Sequence, residues 1–524
     1  MRSVEIVLAL VALATVVAAL AERMRAPAPS LLVLVGLLVG VLPGVPDVVV
    51  TPEVVGLVVL PPLLFAAAQE VPLRELRPVA GVVARLAVGL VAFTAVCVAL
   101  VLHGLLPRIP LAVAFVLGAV LASTDPVAVT ALGRRLRLPT RLATVVQAES
   151  LFNDATSLVL FSVAADIVVA GHGVDLPRAA GTFVLLGGGG ALLGAVVALL
   201  AGQLRDRTAD DLVQASVALL VPYVAYVGAE AAHVSGVTAV VVAGIVLGRR
   251  PQRLVAARAR LQVGSVYAVV VFLLESVVFS LIGLQLPRLV PRLPAADRAF
   301  WLPALAVIVV VVSTRLLWLF PAAFVPRLLR RPSKRPERPS WRAVAVLSWA
   351  GTRGVVPLAA ALSIPLTVAG GAPFPHRDLL LVLATSTIVA TLVVQGLTLG
   401  PLVRRLGVAE GMEDELHQEA RARHRSAMAG LARLEELLEE APVDRAVAQR
   451  LRAGLQDRVD RTRDRPPGSS SSDPGGEDLR QVQRALLDAE SAELQRMHAS
   501  GEITDAVQRR LQRQLDLEET RLRS

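Results

Sequence analysis

The chain has 524 residues, 54% of them hydrophobic and 18% charged, with a formal net charge of +10. That balance excludes a soluble enzyme, and one cysteine, Cys97, leaves no intrachain disulfide or thiolate metal site. The positive excess is arginine, since Lys334 is the only lysine, and it lies in loops between apolar runs rather than in a nucleic-acid footprint.

Thirteen apolar runs, centred near residues 12, 38, 59, 92, 120, 155, 190, 220, 241, 274, 311, 355 and 390, can each cross a hydrocarbon core. In the first, Ala19-Leu20-Ala21 resembles a cleavage site. Arg23 and Arg25 follow it, however, and only Arg2 precedes it, so a retained span is expected. Arginines crowd every other loop: Arg74/Arg77, Arg134/Arg135/Arg137/Arg141, Arg205/Arg207, Arg249/Arg250/Arg253/Arg258/Arg260 and the block from Arg327 to Arg342. The alternate loops hold few, which places the N-terminus outside and the C-terminus in the cytoplasm and requires an odd number of spans.

The fifth run, "VLGAVLASTDPVAVTAL", carries Asp125 and Pro126 at its middle. Proline donates no backbone hydrogen bond and disfavours helix at the residue before it. A break there frees carbonyls near Ala122, Ser123 and Thr124, which a membrane tolerates only where they line a cavity or meet a ligand. An ionisable group at this depth costs ~2.5–3.5 kcal/mol or more and marks a functional candidate. Asp125 can build a hard-cation environment with those oxygens or cap the half-helix starting at Pro126, and the two roles are compatible.

The sixth run, "QAESLFNDATSLVLF", spaces Glu149 and Asn153 four apart, Ser150 and Asp154 four apart, and Ser157 three further on. At helical spacing they form one polar stripe that must face a cavity or partner helices. Asp154 is the best candidate for a carboxylate that alternates between proton and cation, while Asn153 can only hydrogen-bond and orient Asp125. The bland reading of the stripe is a polar helix–helix contact.

Glu230 and His233 lie near the turn between the eighth and ninth runs and read as interfacial; His233 is either structural or a pH-sensing group. Glu275, between Phe272 and Phe279 in the tenth run, either tunes ion access or locks helix packing. The twelfth run, "WAGTRGVVPLAAAL", places Arg353 among Gly351, Gly354 and Pro357. A lone arginine there needs a partner: Glu149 is the expected one, with a backbone carbonyl or Glu275 as alternatives. No phosphate-cradling loop appears, the histidines are too scattered for a metal site, and no nucleophile–base constellation lies within the spans.

If the runs divide into halves 1–6 and 8–13, the two broken segments occupy corresponding positions, the pattern of an inverted-repeat transporter. The fold class expected is therefore an all-α polytopic membrane protein with about thirteen transmembrane helices and two inverted six-helix repeats with crossed broken helices. Residues 1–405 form the membrane domain and 406–524 a helical cytoplasmic tail. In that tail Met428, Leu431, Leu434, Leu437 and Leu438 make an apolar stripe, and "RPPGSSSSDPGGED", 465–478, is a flexible linker.

On "ASTDPVAV", "ESLFNDATSLVLF", Phe272–Gly283, "SGVTAVVVAGIVLG" and "GTRGVVPLAAAL", in that order, the chain resembles the monovalent cation:proton antiporter family. The resemblance covers the whole membrane domain. It implies a core domain with the crossed helices, a dimerisation domain, homodimers and alternating access in the plasma membrane, with no cofactor beyond the transported Na+ and H+. It also implies that Asp154, the Thr124 carbonyl and Ser150 ligate Na+. By the same resemblance Asp125 and Asn153 stabilise the crossing, Glu149 pairs with Arg353, and an Asn before the key Asp marks electroneutral exchange. The chain departs from the family at "LPPLLFAAAQE", where an acid often follows the phenylalanine; here Ala66 follows Phe65, and the nearest acid is Glu70. The expected function is Na+ (or Li+)/H+ antiport, with K+/H+ antiport as the alternative within the class and a cation channel outside it. A membrane sensor signalling through the tail lacks a recognisable output domain.

Overall fold

The computed structural model describes residues 2–24, 27–43, 55–71, 73–125, 140–171, 176–208, 210–249, 257–294, 297–329, 340–407, 412–440, 449, 451–456 and 477–523. Several sequence expectations therefore lie outside the described residues: Pro126 and the second half of the fifth span, Arg134, Arg135, Arg137, Arg250, Arg253, the basic block over 330–339, and 465–476 of the linker.

Among the described residues the chain is helical. It opens with α1 (Arg2–Met24), α2 (Ala28–Val41), a π-turn (Val55–Val59) leading into α3 (Leu60–Gln69), and α4 (Leu73–Ala84), joined through a second π-turn (Arg85–Leu90) to α5 (Val91–Leu105). Then come α6 (Leu111–Ala122), α7 (Thr140–Ala170), α8 (Leu176–Asp206), α9 (Asp211–Ala231), α10 (Gly236–Gly248), α11 (Ala257–Leu289) and α12 (Trp301–Leu329). The twelfth run is split into α13 (Trp341–Trp349) and α14 (Val355–Leu362). α15 (Arg377–Ala390) continues through a third π-turn (Thr391–Gln395) into α16 (Gly396–Leu406). Every expected centre falls in one of these helices, as it must where hydrocarbon leaves backbone groups no partner but the helix itself. Among the described residues seven helical stretches are long and apolar enough to cross a membrane by themselves; α2, α6 and α10 are shorter apolar helices.

Burial separates the spans. The helical stretch Arg377–Leu406 is mostly buried in its apolar part and Pro177–Asp206 mostly is not; Leu379–Leu383 of α15 are all buried, whereas α8 presents Val184, Leu185 and Leu192 outward. α6 is apolar all round and, from Val116 to Ala122, buried all round, as such a helix must be. It packs in one cluster with Val98 and Leu102 of α5, Phe161 of α7, Val307 and Val311 of α12, Ala360 of α14 and Leu380 of α15. Two glycines of α8 have a packing reason: a Cβ on Gly190 would overlap the Ser235 carbonyl just before α10 and one on Gly194 the Ala239 carbonyl of α10, so the two backbones approach closely.

Contacts divide the chain into two units, 1–208 with 216–250 and 266–409, and 209–215 with 251–265 and 410–524. The second unit contains α17 (Met412–Glu440), α18 (Glu477–Ser500) and α19 (Asp505–Arg523), built around Ala422, Leu487, Leu494, Met497, Ile503, Val507, Leu511 and Leu515. The expected stripe is partly wrong. Leu434 is buried, with Leu431 and Leu438 packed beside it, but Met428 is 48% exposed. The buried face of α17 runs instead through Ala422, Ser426, Ala427, Gly430 and Leu434. Small side chains there let α18 come close, with Ser426 Oγ donating to the Glu490 carbonyl at 3.2 Å. A pattern built on large apolar residues overlooks such a face.

Candidate functional site

α6 stops at Ala122 and the chain runs extended through Ser123, with φ −66° and ψ 146°. In a continuing helix the Asp125 amide would donate to the Leu121 carbonyl. It donates instead to the Thr352 carbonyl, 2.7 Å away in the second break. Thr352 returns the exchange, its hydroxyl donating to the Asp125 carbonyl at 2.8 Å. The Leu121 carbonyl left over is taken by Arg353 Nε at 2.7 Å. The two breaks thus satisfy each other's backbone groups, as a dry interior requires.

Sequence reasoning paired Glu149 with Arg353, and the structure corrects this. Arg353, 2% exposed, bonds the Leu121 carbonyl, and its Nη1 bonds the Gly351 carbonyl at 2.6 Å. Its amide donates to Thr391 Oγ1 at 3.2 Å. Glu149 is held by Arg315 of α12 in a two-pronged pair, one prong through Nη1 and the other from Nη2 at 2.9 Å. Both partners are buried, and the paired geometry is the one that offsets the desolvation of two charges. Arg315 Nε also donates to the Leu347 carbonyl at 3.1 Å near the end of α13. Arg315 therefore ties the polar stripe of α7 to the second broken span. It was legible in "VVVVSTRLLWLF" as an arginine inside an apolar run, flagged by the depth rule that singled out Arg353, but no helix breaker accompanies it.

The two glycines of "GTRG" are required by contact. A Cβ on Gly351 would lie 2.5 Å from Arg315 Cδ, and one on Gly354 would overlap the Asp125 carboxylate. Asp125 thus lies against Gly354, the residue that precedes α14, where a carboxylate complements the exposed amides of a helix start. The sequence capping argument pointed at Pro126, outside the described residues; the contact described is with the other broken span. Aligned through the crossing, "ASTDPV" (122–127) and "AGTRGV" (350–355) share Ala, Thr and Val at matching places, an internal likeness hidden by the opposite charges of Asp125 and Arg353.

α7 faces the first break with its polar stripe. Ser157 Oγ donates to the Ala119 carbonyl at 2.8 Å, Asp154 accepts from Ser123 Oγ, and Ser150 Oγ donates to the Thr124 carbonyl at 2.6 Å. The Asn153 amide lies 3.4 Å from Thr124 Oγ1 and 3.3 Å from Glu149 Oε1. Exchanging its oxygen and nitrogen lets it donate to the Glu149 and Leu86 carbonyls at 3.2 Å, Leu86 lying in the second π-turn. In the first orientation Asn153 reaches the first break through Thr124, and in the second it ties α7 to the second π-turn. Ser123, Thr124, Asp125, Glu149, Ser150, Asn153 and Asp154 are all buried, with Asp154 at 7% exposure.

The structure thus ties Ser150 to the Thr124 carbonyl and Asp154 to the neighbouring Ser123; the Ser123 hydroxyl is an addition, since the sequence reading used only the carbonyls freed near Ala122, Ser123 and Thr124. Among the described residues no group of three or more His, Cys, Asp or Glu could hold a metal ion. Where the first break faces α7 the Asp154 carboxylate stands with hydroxyl and carbonyl oxygens, while the Asp125 carboxylate is turned to Gly354; the former set suits a hard cation of low charge. Two predicted modulators lie apart. His233 is exposed, in a left-handed turn with φ 55° after α9. Glu275 is partly buried on α11 and takes no part in the bonds of Asp154, Ser123, Ser150 or Thr124.

The sequence pattern of the family described as sodium/hydrogen exchanger, transmembrane, matches residues 8–405. A protein of Mycobacterium tuberculosis named as an uncharacterized Na(+)/H(+) exchanger is 34% identical over 524 residues, 99% of this chain and 96% of its own length. A sodium, potassium, lithium and rubidium/H(+) antiporter of Bacillus subtilis is 32% identical over 383 residues, 70% of this chain and 56% of its own. The solved structure of a sodium proton antiporter from Methanocaldococcus jannaschii is 20% identical and has a TM-score of 0.61, over 78% of this chain and 98% of that one. The last is a likeness of fold.

Proposed function

The chain belongs to the sodium/hydrogen exchanger family, and from that premise we propose that it is a secondary antiporter exchanging cytoplasmic Na+ or Li+ for external H+ at Asp154. The observation that carries this reading is the oxygen cluster at the first break: the Asp154 carboxylate with Ser150 Oγ and the Thr124 carbonyl, buried among apolar spans. A single carboxylate takes either a proton or a monovalent cation. In both states the site is near neutral and can pass a hydrocarbon-lined barrier, whereas the empty, ionised site cannot. That difference couples the two flows.

The finer points follow the same line. Asn153 before Asp154 leaves one titrating group in the pair, which favours one cation per proton. The alternation of arginine-rich loops favours an external N-terminus and a cytoplasmic tail in the plasma membrane. A homodimer gives the crossing a fixed frame to move against, with the site exposed alternately to each side. The K+/H+ alternative stays in the same assay because the Bacillus subtilis relative is named for potassium and rubidium as well.

The test is cation-driven proton flux in proteoliposomes with Na+, Li+ and K+ across pH, for the wild type and Asp154→Asn. The wild type is expected to exchange Na+ and Li+ for protons, and the variant to exchange none. Flux retained in Asp154→Asn would overturn the assignment. Flux indifferent to a proton gradient would favour a channel.

A further inference from the structure

Four oxygens meet where the first break faces α7, and they are matched in donor–acceptor pairs. Ser150 Oγ donates to the Thr124 carbonyl at 2.6 Å, and Ser123 Oγ donates to Asp154 Oδ1. Ser150 and Thr124 already belong to the antiport reading. Ser123 does not, although it is completely buried and Asp154 is the only partner of its hydroxyl among the described residues. Its extended backbone at the end of α6 turns it off the helix and onto α7.

A serine hydroxyl has one proton and two lone pairs. The group that now donates to the carboxylate can therefore swing its proton aside and offer oxygen to a cation held on that carboxylate. Resting on the antiport reading, we propose that Ser123 is a further cation ligand at Asp154 and sets its selectivity among monovalent ions. That change needs rotation about one side-chain bond of Ser123 and no backbone rearrangement. Charge–dipole attraction falls with distance, so a small cation, drawn closer to its ligands, gains most from this oxygen. Residue 351, at the matching place of the second break, is glycine and supplies no such group.

The experiment measures half-saturating Na+ and Li+ in proteoliposomes for the wild type, Ser123→Ala and Ser123→Gly. Protection from thermal unfolding in detergent by each ion reads the same ratio without turnover. Both variants are expected to weaken Li+ roughly tenfold and Na+ roughly threefold, the scale of one lost neutral ligand, so the Li+/Na+ ratio shifts. An unchanged ratio in both variants, with normal wild-type antiport, overturns the role of Ser123 and leaves the antiport reading standing. A wild type with no cation-driven proton flux overturns the antiport reading, and this inference with it.

Discussion

At the first break the Thr124 carbonyl and the Asp154 carboxylate opposite it are held by serine hydroxyls. At the second, the guanidinium and amide of Arg353 are held by two carbonyls and a threonine oxygen. A hydroxyl can leave an acceptor by turning, but an arginine bound at three places to main chain and Thr391 has no second position to take. One break is therefore exchangeable and the other fixed, although both carry the same short pattern and one ionisable residue. A charge at mid-membrane depth marks importance, and the mobility of its partners separates a binding site from a brace.

The largest expected effect falls on the buried ion pair that ties α7 to the fixed break. Arg315→Met leaves Glu149 buried and unpaired, a loss of about 3–5 kcal/mol, read as a fall in the detergent melting temperature and in the yield of folded protein. Adding Glu149→Gln to the same chain recovers much of it. Arg353→Met strands no carboxylate and costs less; were it the more damaging of the two, the partner assignment made here would be reversed.

Next is Gly354→Ala. Its methyl group meets the Asp125 carboxylate, so the crossing must shift, at about 3 kcal/mol, the upper end of overpacking costs. Melting temperature and antiport rate should drop together, whereas Gly264→Ala, inside α11 and with no atom within 4 Å of the added carbon, should lower neither. The smallest is Thr391→Val, which keeps the shape and removes the acceptor of the Arg353 amide. An unsatisfied buried amide costs about 1–2 kcal/mol, so stability falls slightly while the Li+/Na+ ratio stays at the wild-type value. A changed ratio would show that the fixed break also shapes the ion site.

Much of this was legible before any coordinates. Spans are dictated by hydrocarbon, which offers a chain few other solutions, and the stripe Glu149–Ser150–Asn153–Asp154–Ser157 follows from helical spacing alone. What escaped depended on helix rotation. Two arginines, Arg315 and Arg353, sit in apolar runs, and which of them reaches Glu149 is set by how α12 turns toward α7 rather than by local sequence. The Ser123 hydroxyl went unused in the sequence reading, which drew only on the carbonyls there, because its partner Asp154 lies on α7, 31 positions along the chain. The exposed Met428 has a similar origin: the close approach of α18 selects the small face of α17, and no periodicity of large residues encodes that choice.

The reciprocal exchange between Asp125 and Thr352 has a mechanical consequence. Drawing the two breaks apart would strand an amide and two carbonyls where no water can replace their bonds, at several kcal/mol for each group. The joint is thus a rivet rather than a hinge. Any stroke that presents Asp154 first to one side and then to the other has to carry both broken spans as a single piece, with the sliding surfaces elsewhere, along the faces of the helices around them.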